Sequence, residues 1–221
     1  MKRRIIGGII AGVFLLASFT MPLQAETSKS DLLKANLSSL SSFDTLPTTA
    51  PPISTPEWYK SKTVYYTVSS HGSVKADMSE FATLANQTLN DPRGWSQLDV
   101  RFVKVASGGT LNIVLSQASL MTDYSATGCT ADWSCTVGNT IIINDDRWEN
   151  ASATYSASGG SLRDYRNMVI NHETGHWLGH GHLFCSGPGQ LAPVMQQQSI
   201  DLQGCKFNPW PLPSELWSTR I

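Results

Sequence analysis

Leu98 to Val105 and Leu111 to Leu115 alternate apolar and polar residues, and Thr63-Val-Tyr-Tyr-Thr-Val68 is rich in residues that favour extended chain. A period of two sends alternate side chains to opposite faces, so these segments predict strands with one buried face. Thr140-Ile-Ile-Ile143 is a short apolar run that suits a strand covered on both faces. Helical spacing appears at Phe81, Leu84, Ala85 and Leu89, directly after the cap signal Asp77-Met-Ser-Glu80. A second cap signal, Ser161 with Asp164, opens a helix that continues through Met168, Val169 and Ile170 to His172. The predicted order is strand, helix, two strands, a cysteine loop, a further strand or hairpin and a long helix, an α+β arrangement with α/β character.

The long helix ends in the most informative segment of the chain, His172-Glu-Thr-Gly-His176-Trp-Leu-Gly179-His180-Gly-His182, which holds four of the five histidines. Residues four apart project from one helix face about 6 Å apart along the axis, so His172 and His176 can converge on one ion. Glu173 falls beside the same face, where it could take a proton from a metal-bound water. A catalytic zinc needs a third protein ligand and an open position. His180 on a continuing helix would lie about 12 Å along the axis from His172, too far for bonds of about 2 Å. Gly179 can take the left-handed conformation that ends a helix and turns the chain back, which favours His182. Gly175, inside the helix, suits a place where another segment approaches closely.

The pattern His172-Glu-x-x-His176-x-x-Gly179-x-x-His182 resembles the long zinc signature of metzincin metallopeptidases. Pro193-Val194-Met195 resembles the methionine turn of that clan, with Met195 beneath the metal. The stretch through Cys185, Met195, Cys205 and Asn208-Pro209-Trp210-Pro211 further resembles a family of uncharacterised secreted bacterial metzincin-like domains. The resemblance implies a twisted mixed sheet with an antiparallel edge strand above the cleft, a backing helix, a zinc-binding helix and a C-terminal methionine-turn subdomain. Substrate would lie along the edge strand, for which Trp133 to Val137 is the candidate, a disulfide-closed surface loop being the alternative. Gln196-Gln197-Gln198 follows Met195 without the tyrosine that some members place there.

Lys2-Arg3-Arg4, an apolar stretch from Ile5 to Phe19 and Leu23-Gln24-Ala25 have the layout of a secretory signal peptide over residues 1–25. The stretch is shorter than the roughly 20 residues of a spanning helix, so export is expected over membrane insertion. Residues 26–56 are rich in Ser, Thr and Pro and read as a linker or short pro-segment, in which Asp31 or Asp44 could cover a metal. Residues 57–221 suffice for one domain. Losing residues 1–25 removes three positive charges and no negative ones, which takes the formal net charge from −1 to −4. With no basic cluster in the exported part, a nucleic-acid or anionic-membrane partner is not expected. Four cysteines in an exported chain suggest two disulfides. Cys129 with Cys135 and Cys185 with Cys205 is the favoured pairing, the other two connectivities remaining open. Asn144-Asp145-Asp146 could hold a structural Ca2+ or form a turn.

Together these readings predict a secreted, monomeric zinc metalloendopeptidase, with Zn2+ on His172, His176 and His182, Glu173 as general base and a peptide or protein as substrate. Two alternatives share the metal: a zinc-stabilised extracellular binding module without turnover, and an amidase acting on cell-wall peptides.

Overall fold

Strands β1 (Lys62–His71), β2 (Val100–Lys104), β3 (Leu111–Ser116), β4 (Cys135–Val137) and β5 (Thr140–Asn144) form one sheet in the order β2-β1-β3-β5-β4. The computed structural model describes residues 62–221; the expected leader, the linker and the first residues of the expected domain lie outside them. All neighbours pair in parallel except β4, which runs antiparallel to β5 with Thr136 opposite Ile141. Among the described residues they are accompanied by helices α1 (Met78–Leu89), α2 (Asp145–Asn150), α3 (Ala153–Ala157) and α4 (Leu162–Leu178) and by three short 3-10 segments. The architecture is a mixed α/β domain around one five-stranded sheet.

The core follows from strand alternation. Val64 and Tyr66 of β1 are buried, whereas Tyr65 between them is exposed. Ile141 and Ile143 of β5 join the main cluster with Phe81, Leu89, Trp148 and Ile170. Ile142 points to the opposite face and packs with Met121, Cys129 and Cys135. The Cys129–Cys135 disulfide thus belongs to the loop that covers the second face of β5, and an apolar run replaces alternation there. Helix α1 is capped by Asp77, whose Oδ1 accepts from the backbone N–H groups of Ser79 and Glu80 at 2.8 Å.

Some boundaries differ from the sequence reading. Strand β1 runs on to His71, because its last residues pair with β3 up to Ser116. The stretch before β2 is a short 3-10 turn, Trp95–Leu98, because Trp95 buries its ring and donates Nε1–H to the Asn171 carbonyl at 2.9 Å. Helices α2 and α3 are too short to show helical periodicity, and α2 begins at the polar cluster read as a possible calcium site. There Asn144 caps α2 through Arg147 N–H at 3.2 Å, Asp145 accepts from Lys75 and Ala76 N–H, and Asp146 pairs with the Lys75 ammonium. These oxygens are already partnered by protein donors, so the cluster is a helix start and gives no support to a calcium ion.

Candidate metal centre

Helix α4 carries the buried His172 and the half-buried His176 to the site and then stops. Its N-terminus is closed by Ser161 and Asp164, whose side chains and backbone bond each other at 2.7 and 3.0 Å. At the other end Gly179 has φ of 108°, His180 N–H bonds the Gly175 carbonyl at 3.0 Å and Gly179 N–H bonds the His176 carbonyl at 3.1 Å. That pair of bonds is the Schellman arrangement, which a left-handed glycine permits. The turn brings the chain back over the helix, and Leu183 N–H then bonds the Met195 carbonyl at 3.0 Å. His182 is thereby carried to the two helical histidines.

His176 Nε2 lies 3.2 Å from His172 Nε2 and 3.1 Å from His182 Nε2. Tetrahedral ligands with bonds of about 2.0–2.1 Å stand about 3.3 Å apart, so this spacing fits one ion. Among the described residues these three histidines form the group whose ligand atoms all lie within 4.8 Å of one another.

The other ring nitrogens decide the proton positions. His172 Nδ1 is 2.8 Å from the Val194 carbonyl, and His176 Nδ1 is 2.9 Å from the His180 carbonyl. A carbonyl only accepts, so each Nδ1 carries the proton and each neutral ring presents an Nε2 lone pair. Burial lowers the pKa of all three histidines, that of His172 to about 3, with the charge of its histidine neighbours adding to the effect. Neutral rings with converging lone pairs repel one another unless a cation stands between them, and the donor set therefore fits a metal ion.

His180 takes a different direction. Its Nε2 meets the Trp217 carbonyl at 2.9 Å, and its ring lies against Trp217 and Trp95 with centroids 3.8 and 5.0 Å away. Its side chain anchors the C-terminal segment, while its backbone carbonyl orients His176.

Glu173 is buried beside the histidines and stands outside the ligand group. Its Oε2 is 2.8 Å from Thr136 Oγ1 on β4, and burial pushes its carboxyl up to about 8, against the opposing effect of the Thr136 hydrogen bond. Met195 is fully buried in the turn of Pro193 to Gln196, with its sulfur against Gly175, where a Cβ would collide with it. Cys129 is bonded to Cys135 and Cys185 to Cys205. The histidines floor a cleft of about 520 Å³, walled by β4 on one side and by Gln197 to Ile200 on the other, with Arg220 also lining it.

Sequence reasoning missed the residues that hold the turn. Gln198 Nε2 donates to the Pro193 and Asn208 carbonyls, Asn208 Nδ2 donates to Ala192, and Glu215 accepts from Val194 and Met195 N–H. Isolated polar residues in irregular chain carry no periodic signal. Gln198 and Asn208 entered the sequence reading only as part of Gln196-Gln197-Gln198 and Asn208-Pro209-Trp210-Pro211, without these roles.

Fold and site define a mixed α/β domain with a three-histidine centre of metal-binding geometry. The chain belongs to the family described as "Protein of unknown function (DUF3152)", whose model matches residues 33–213. No curated protein matches it. These findings correct the expectation of a metzincin zinc endopeptidase. The family has no assigned function, so no hydrolase activity and no metzincin identity comes with membership, and the group that is brought together is three histidines without the glutamate. Ligand spacing on a helix specifies where an ion can sit; it does not specify a reaction. Among the described residues no helix is long and apolar enough to cross a membrane.

Proposed function

We propose that this chain is an exported metal-binding domain in which His172, His176 and His182 hold one Zn2+ at the floor of the cleft, leaving a coordination position for an oxygen or nitrogen donor of a ligand that enters the cleft. The observation that carries the reading is the pair of Nε2 lone pairs 3.2 Å apart on His172 and His176, each fixed in that tautomer by a carbonyl behind it. Three imidazoles suit zinc, copper, nickel or iron, and a tetrahedral spacing favours zinc among them. Three protein ligands are one short of a closed structural site, which favours a role in taking up a further ligand. Glu173 and Thr136 would face that ligand from the wall of the cleft. Two disulfides suit an oxidising compartment and support export.

Dialysis of the chelator-treated full chain against zinc tests this. One equivalent should be retained by the wild type and by Glu173→Gln, whereas His176→Ala should bind zinc more than about a hundredfold more weakly, a loss beyond that of an outer-shell change. Equal zinc retention by wild type and His176→Ala would refute the assignment, and a wild type that retains no zinc would refute the choice of ion.

A further inference from the structure

Glu215 is 1 % exposed, and a carboxylate so far from solvent depends on protein donors. Three backbone N–H groups supply them: Leu212 at 2.7 Å and Val194 at 3.0 Å to Oε2, and Met195 at 2.9 Å to Oε1. The Leu212 bond is local and closes the short 3-10 turn Pro213–Glu215 that presents the side chain. The other two reach across some twenty residues to the turn beneath the histidines.

One of those contacts has a chemical consequence for the site. The N–H of Met195 and the carbonyl of Val194 belong to the same peptide unit. Its N–H donates to Glu215, and its carbonyl accepts from His172 Nδ1 at 2.8 Å. A negative acceptor on the N–H polarises the peptide and makes the carbonyl a better acceptor, because hydrogen bonds in series strengthen one another. A carboxylate or carbonyl behind a ligating histidine fixes its tautomer and raises its basicity. Here the carboxylate acts one peptide further back.

We infer that Glu215 is the positioning residue of the metal centre, holding His172 in its ligating tautomer through the Val194–Met195 peptide. The same grip bears on a second ligand, since the Met195 carbonyl receives Leu183 N–H, next to His182. The third is held from the same C-terminal segment by another route. Trp217 receives His180 Nε2, and the His180 carbonyl receives His176 Nδ1. The inference rests on the metal-site reading for its effect on affinity, but the relay to His172 exists in the metal-free protein.

The test compares wild type with Glu215→Gln, Glu215→Asp and Leu89→Ala, the last a core substitution in α1 that takes no part in the hydrogen-bond path from Glu215 to His172. Two quantities are read: zinc affinity by competition with a chromophoric chelator, and the Nδ1 proton resonances of His172 and His176 in the metal-free full chain. Glu215→Gln should weaken zinc binding by about tenfold to a hundredfold and move the His172 resonance upfield, leaving that of His176 in place. Glu215→Asp keeps the charge but shortens the reach, and should move both quantities in the same direction by less. If Glu215→Gln does not fold, the aspartate variant decides. Leu89→Ala should lose stability with the His172 resonance unmoved. The inference is overturned if the Glu215 variants leave that resonance at its wild-type position or lose no more zinc affinity than Leu89→Ala. A wild type that binds no zinc would defeat the proposed function, and the resonance would still decide the relay.

Discussion

A neutral imidazole has one proton to place, and the carbonyls of Val194 and His180 place it on Nδ1 of His172 and His176. The same residues make stability depend on pH in the metal-free protein. Burial lowers the pKa of His172, His176, His180 and His182 below the ordinary 6.5, so below that pH the unfolded chain takes up protons the folded chain refuses. Their contribution falls as the solution is acidified below 6.5. Glu173 acts in the opposite sense, because its pKa rises from 4.5 to about 8 and the folded chain keeps a proton that the unfolded chain has lost. That contribution falls as pH rises between those values. Four histidines outweigh one carboxyl on the acid side, so stability should peak near about pH 7 and decline toward 8. Urea midpoints of chelator-treated protein across that range check it, and Glu173→Gln should flatten the alkaline limb. A wild-type limb that is already flat would contradict the burial of an uncharged Glu173. His172 and His176 were readable in the sequence because helix spacing relates them, and His182 because Gly179 turns the chain back, whereas Thr136 meets Glu173 only through the sheet.

Helix α4 performs its task by ending where it does. Gly179 has φ of 108° and leaves no room for a Cβ beside the Thr219 hydroxyl. Gly179→Ala should cost about 1–3 kcal/mol through backbone strain, read as a lowered thermal midpoint, and should weaken metal binding by displacing His182. An alanine variant with unchanged midpoint and affinity would show that the turn does not place the third ligand. The glycine and the caps of α1 and α4 were legible because each is a local rule written in adjacent residues. Strand β4 was only a candidate edge, since a three-residue strand closed by a disulfide has no periodicity to read. Helices α2 and α3 escaped for the same reason, and the 3-10 turn at Trp95 arose from a contact with Asn171 that adjacent residues do not announce.

At the scale of the whole domain, the sheet and α4 build one wall of the cleft, and irregular chain beyond residue 182 builds the other. That second wall has little regular structure to stabilise it. Cys185–Cys205, spanning 20 residues, closes the segment that contains Met195, whereas Cys129–Cys135 spans only 6. Chain entropy assigns about 3 kcal/mol to the longer loop and about 2 kcal/mol to the shorter. Replacing Cys185 and Cys205 with Ser should therefore lower stability more than replacing the other pair and should weaken metal binding, as measured by denaturant melts and zinc competition. An equal or smaller effect would mean that Gln198, Asn208 and Glu215 hold the wall without the bond. Such long-range anchoring was the least legible part of the molecule, because no spacing rule relates Glu215 to Val194. The measurement that bears most directly on the central claim is X-ray absorption at the zinc edge of the loaded full chain. It should show three imidazole nitrogens at about 2.0–2.1 Å and one further light donor that changes when a ligand is added. A shell without imidazole scattering, or one closed by four protein ligands and indifferent to added ligand, would contradict the account.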